Sequence, residues 1–171
     1  MIDTWIQTYS GEKVNPFNPD PSTINIEDIA HALSNLCRFT GHTSRFYSVA
    51  EHSWWVSKLV VPEHALYGLL HDSSEAYLAD ISRPVKPYLN NYKKTEKGLQ
   101  SVIFKKFGLS PEPPRDVKNV DSRLCFTEGI QLMPDVSCWN LQREPYKDVL
   151  VRGWLPVLAK TFFMDRFKEL I

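Results

Sequence analysis

The chain has 171 residues, 43% of them hydrophobic and 23% charged, which excludes a disordered protein and leaves room for one sizeable core. Lysine plus arginine and aspartate plus glutamate number 20 each, so the formal net charge is zero and no basic field exists to hold a nucleic-acid polymer. Cys37, Cys125 and Cys138 form no Cys-x-x-Cys pair and read as core or surface thiols of a reducing compartment.

Met1 to Trp5 hold no basic segment leading into an apolar one, and no apolar run is long enough to span a bilayer. The expectation is a cytoplasmic protein with no membrane partner. Residues 5–9 and 13–17 flank Ser10-Gly11-Glu12, which predicts a short β-hairpin, and Asn18-Pro19-Asp20-Pro21 predicts a loop. A helix over 26–36 would bury Ile26, Ile29, Ala30, Leu33 and Leu36. Ser48-Val49-Ala50-Glu51 has the Ser-x-x-Glu form of a capping box, with Glu51 as the capping residue. The helix it starts carries His52 in an early turn and stops near Pro62. A second helix from Pro62 places Ala65, Leu66, Leu69 and Leu70 on an apolar stripe and ends at His71-Asp72. Glu75 returns to the same face one turn on, and Asp80 falls where that helix ends.

Further along, 92–107 predicts a helix with Leu99, Val102, Ile103 and Phe107 inward and Gly108 closing it. The stretch 110–114 is a stiff linker and not a domain boundary. A helix over 115–132 turns Val117, Val120, Leu124 and Cys125 to the core, with Asp121 at the polar edge of that stripe. Residues 134–153 show no period and are left unassigned. A closing helix over 154–171 would bury Leu155, Leu158, Phe162 and Phe167. The expected architecture is an all-α bundle with a short N-terminal hairpin, in one domain over 1–171.

Two imidazoles and two carboxylates carry the chemistry. Singly, His52 is an ordinary helix histidine and Asp121 an ordinary surface carboxylate. Together, His52, His71, Asp72 and Asp121 can hold one divalent ion, whether zinc, manganese, cobalt or magnesium, and leave positions open for water and substrate. Glu75 is the candidate to orient or deprotonate that water, and Asp80 the candidate either to donate a proton to the leaving oxygen or to help hold a second ion. Arg38 and Lys86 are candidate phosphate contacts, and Phe39 a candidate wall for the base or sugar.

The ordered residues His52…His71-Asp72…Asp121 resemble the HD-domain metal-dependent phosphohydrolase superfamily. The segments Ile26 to Ser34, Cys37 to His42, Tyr47 to His52, Leu69 to Tyr77 and Asp80 to Lys86 are most similar to its small bacterial, prophage and phage 5′-deoxynucleotidase-like group. That resemblance covers roughly residues 6–130. It implies an HD helical bundle, a divalent cofactor held by the four residues above, active-site roles for Glu75 and Asp80, and substrate binding by Arg38. It further implies phosphate release from small-molecule deoxynucleotides, most closely deoxynucleoside monophosphates. A phage branch that cleaves dATP is the alternative within the same chemistry. A nucleotide sensor that keeps the site without turnover is the alternative of another class, and homo-oligomer formation is left open.

Overall fold

Two-residue strands open the computed structural model, which describes residues 4–139 and 143–171. β1 (Ile6–Gln7) pairs antiparallel with β2 (Lys13–Val14), Ile6 opposite Val14, and Gly11 at φ 93° turns the chain between them. The hairpin is shorter than foreseen, and Val14 is its buried anchor. Residues 1–3, part of the segment read as lacking a leader, and 140–142, within the unassigned stretch, lie outside the described residues.

Asn25 caps α1 (Ile26–Asn35), its Oδ1 accepting from the Glu27 amide at 2.9 Å, and Ile29, Ala30 and Leu33 form the buried face. Ser48 does the same for α2 (Val49–Leu59), Oγ accepting from the Glu51 amide at 3.1 Å. Helix α2 packs against α1 and later helices on several sides, which leaves His52 fully enclosed. A single 3-10 turn at Pro62–His64 leads into α3 (Ala65–Leu70), and residues 71–74 then wind into α4 (Glu75–Leu78). Helix α3 meets α2 backbone to backbone at Gly68, where a Cβ would stand 3.0 Å from both N and Cα of Ser57.

Then come α5 (Asn90–Lys106), α6 (Arg115–Leu132) and α7 (Pro156–Leu170). Helix α6 has the expected bounds, and Val117, Val120, Leu124 and Cys125 are buried as foreseen. In α5 the core position belongs to Phe104, not Val102, beside Leu99 and Ile103. The closing helix departs further from expectation. Its buried face is Ala159, Phe163 and Phe167, whereas Leu155, Leu158 and Phe162 are 68%, 49% and 38% exposed. The segment is apolar on more than one face, so two helical phases compete. The winning phase brings Phe163 and Phe167 against the elements that build the main core.

That core joins Ile29 and Leu33 of α1, Leu69 and Leu70 of α3, Ile103 and Phe104 of α5, and Phe163 of α7. Each such side chain contributes about 1.5–3 kcal/mol by leaving water. A second cluster, Val56, Ala65, Val117, Val120 and Leu124, fastens α6 across α2 and α3. The two clusters hold α2, the α3 terminus and α6 in fixed relation, and the candidate ligands sit on those three elements. The protein is therefore all-α with a small β-hairpin. No helix among the described residues is long and apolar enough to cross a membrane.

Candidate metal centre

His52 in α2, with His71 and Asp72 just past the end of α3, bring one donor atom each within 4.8 Å of one another. The two Nε2 atoms stand 3.2 Å apart, and Asp72 Oδ2 lies 3.1 Å from that of His71 and 3.8 Å from that of His52. Asp121 stands beside this trio, Oδ1 3.3 Å from His52 Nε2. Donors on a divalent ion with bonds near 2.1 Å are separated by about 3.0–3.4 Å, a range that three of these four distances meet and that His52 to Asp72 exceeds.

The hydrogen bonds behind the rings decide what those nitrogens offer. Glu128 Oε1 lies 2.6 Å from His52 Nδ1, and the Gly68 carbonyl 2.8 Å from His71 Nδ1. Both partners are acceptors, so the ring proton belongs on Nδ1 and the two Nε2 lone pairs converge. Lone pairs at that distance repel unless a proton or a cation lies between them. Without an ion between them, His52 is the ring whose environment favours the proton. Burial and Arg38 push its pKa down, but Glu128 and Asp121 outweigh them and hold it up at about 9. Burial likewise works against charge on Asp72, yet His71, His52 and Arg38 keep its carboxyl far below the ordinary range.

Glu128 is the functional residue that the sequence reading missed. Fully buried in α6, it accepts from the Tyr47 hydroxyl at 2.7 Å and from Arg38 Nε at 3.2 Å, besides facing His52. Burial disfavours its charge, and Arg38 and His52 overcome that and hold the carboxyl below its ordinary value. Asp121 and Glu128 are two turns apart on one helix face and take the two nitrogens of the same imidazole.

Above the trio opens a cleft of about 680 Å³ lined by Arg38, Phe39, Asp72, Glu75, Asp80, Lys86 and Asp121, together with His42, Arg83, Cys125, Met133 and Trp139. All nine candidate residues therefore lie in the cleft or directly beneath it. Arg38 Nη1 is 3.7 Å from Asp72, which ties the guanidinium to the ligand set. Phe39 and Thr40 follow with left-handed backbone, φ 53° and 55°, a costly conformation for non-glycine residues that is found at functional turns. Glu75 reaches the site by a different route from the expected α-helical turn. Residues 70–77 are joined by i to i+3 hydrogen bonds, which eclipse Asp72 and Glu75 on one edge. Burial, then Asp72 and Asp80, raise the Glu75 pKa well above its ordinary value, and its Oε2 has no hydrogen-bond partner among the described residues. Lys86 Nζ bonds Glu75 Oε1 at 3.3 Å and Glu96 Oε1 at 2.9 Å, so its charge is already engaged by carboxylates.

Three other side chains find their roles. Glu51 is not a reciprocal cap. Its amide donates to Ser48, but its carboxylate accepts from the backbone amides of Arg152, Gly153 and Trp154 at 2.7, 3.2 and 2.7 Å, tying that returning segment to α2. The reason is demand: three backbone donors of an irregular segment outbid one helix-end amide. His31 stacks on Tyr9 with centroids 3.9 Å apart, away from the cleft lining. Burial pushes the Cys125 thiol up to about 11, which keeps this side chain protonated near neutrality. The trio, with His52 buried and His71 and Asp72 half-buried, can coordinate a divalent ion, and the arrangement supports metal-dependent hydrolysis as a general chemistry.

No protein-family model matches the chain. The uncharacterized protein YfdR of Escherichia coli K12 is 40% identical over 170 residues, a match that covers 98% of this chain and 96% of YfdR. An uncharacterized protein of Rhodobacter capsulatus is 35% identical over 128 residues, or 69% of this chain and 65% of that protein.

Proposed function

The chain belongs to the YfdR family, and we propose that it is a metal-dependent phosphohydrolase of the HD type that releases phosphate from deoxynucleoside 5′-monophosphates. The observation that carries this reading is the pair of Nε2 atoms converging at 3.2 Å beside Asp72, under a cleft that holds both acids and a guanidinium. His52, His71 and Asp72 would hold the ion, with Asp121 completing the set. When bound, such an ion acidifies water and polarises a phosphoryl oxygen.

The protein's own groups do the rest. Glu75 Oε2, buried and lacking a partner among the described residues, is placed to accept the proton of the attacking water, while Lys86 holds the other oxygen still. Burial raises the Asp80 pKa against the pull of Arg38, with Asp72 adding to the rise, which suits a group that delivers a proton to the leaving oxygen. Arg38 is fixed through Nε by Glu128 and presents its remaining donors to non-bridging phosphate oxygens. Phe39 beside it walls the sugar, and a 2′-hydroxyl pressed there would lack a partner.

The monophosphate reading is favoured over dATP cleavage by charge. Asp72, Glu75, Asp80 and Asp121 face Arg38, Arg83 and Lys86, and all three cations already have carboxylate partners: Glu128 for Arg38, Asp121 at 4.0 Å for Arg83, and Glu75 and Glu96 for Lys86. Little positive charge remains for a polyphosphate. The test is a product screen of deoxy- and ribonucleoside mono-, di- and triphosphates with zinc, manganese, cobalt and magnesium in turn. Inorganic phosphate from dNMPs is the expected product. Faster cleavage of dATP would move the assignment to triphosphate hydrolysis, and tight binding without any product would make the protein a nucleotide sensor.

A further inference from the structure

The cleft has an aromatic end that the phosphate chemistry does not use. Trp139 lines it together with Phe39 and Met133, and the Trp139 and Phe39 ring centroids are 5.8 Å apart with planes inclined by 35°. A flat ring sandwiched between two others needs about 7 Å between them, twice a van der Waals contact, so nothing can intercalate here. The two rings instead lie side by side in the lining of the cleft.

The seat of the indole is specific. A Cβ at position 129 would stand 2.6 Å from Cζ3 and 2.7 Å from Cη2 of Trp139, so the ring lies directly on Gly129 of α6. Glycine here leaves the space that the indole occupies. Gly129 follows Glu128, and Phe39 follows Arg38, so this wall begins one residue from the groups that grip His52 and face Asp72. A nucleotide carries its phosphate and its base on one pentose, and the same cleft is lined by the Arg38 guanidinium, 5.5 Å from the Phe39 centroid, and by the two aromatic rings.

We propose that Trp139, seated on Gly129 and continued by Phe39, is the base-stacking wall of the site and a determinant of its specificity. The inference rests on the nucleotide reading above. Stacking on an indole face is sequence-tolerant but grows with ring area, so purines gain more than pyrimidines. Its loss should weaken the base and leave the phosphate grip intact.

The experiment is titration calorimetry with dAMP, dCMP and 2-deoxyribose 5-phosphate on full-length protein loaded with metal and carrying Glu75→Gln to suppress turnover. Trp139→Ala should weaken dAMP about 5- to 100-fold, dCMP less, and the sugar phosphate not at all. Trp139→Phe should recover most of the loss, and Gly129→Ala, which displaces the ring, should reproduce it. Equal losses on dAMP and the sugar phosphate, or no loss, would overturn the stacking role. So would parent protein that binds dAMP no better than the sugar phosphate, an outcome that leaves the phosphohydrolase standing. If neither ligand binds, the nucleotide reading and the wall fall together.

Discussion

Glu128 Oε1 stands 2.6 Å from Nδ1 of His52, and neither side chain reaches solvent. A charged carboxylate placed behind a ligand histidine orients the ring and makes its other nitrogen a better donor. Glu128→Ala would strand the Arg38 charge, the Tyr47 hydroxyl and the His52 Nδ1 proton together, at a cost of about 3–5 kcal/mol in denaturant melts. Glu128→Gln keeps an acceptor and should fold, but metal affinity should drop roughly 10- to 100-fold. Undiminished affinity in folded Glu128→Gln would show that His52 needs no charged partner.

The ligand trio makes the bluntest prediction. His71→Ala and Asp72→Ala should each leave a folded protein with little bound metal after dialysis, and no turnover. Elemental analysis beside a thermal melt separates ligand loss from unfolding. Wild-type metal content in either variant would remove the metal centre as described.

Glu75 is separable from the ligands. Glu75→Gln should slow the chemical step by roughly 10²–10⁴ while the metal stays bound, the usual effect of losing a positioned base. Single-turnover kinetics with metal analysis decides. If the ion leaves with the substitution, Glu75 is a ligand and the base must be sought elsewhere.

Acidity gives an independent handle on the metal-free protein. His52 is raised from 6.5 to about 9 by Glu128 and Asp121 against burial and Arg38, so its proton binds the folded state more tightly than the unfolded one. That contribution is fully present below about pH 6.5, is lost as pH rises through about 9, and is on the order of 3 kcal/mol. Urea midpoints of EDTA-treated protein should therefore fall across that window. With metal on Nε2 the proton is displaced and the trend should vanish. A flat profile without metal would mean that His52 is not protonated there.

Much of this was legible in the chain because the signals are local. Ser48 announces α2 through a cap that closes within three residues, and the apolar spacing of Val117, Val120 and Leu124 marks α6. His52, His71 and Asp72 were legible as a ligand set because their residue types are scarce and their order is informative. Glu128 was not, since its partners Arg38, Tyr47 and His52 lie 90, 81 and 76 residues away and a buried glutamate has no local pattern. Trp139 sits in a segment without period, so nothing local aims its ring at Phe39. In α7 the adjacent Phe162 and Phe163 pose a choice of phase that tertiary packing alone resolves.

Gly68 has a consequence for metal choice. Its missing side chain lets α3 lie against the α2 backbone at Ser57, and its carbonyl orients His71. The interhelical gap thereby sets the bite of the two imidazoles, 3.2 Å between nitrogens, with no ligand involved in setting it. Ions differ in bond length, and a chelate of fixed bite discriminates among them by radius. Gly68→Ala must push the helices apart, widening the bite and tilting preference toward the larger ion in a zinc–manganese competition. Selectivity at this centre is then a property of helix spacing, adjustable by one methyl group that never touches the ion.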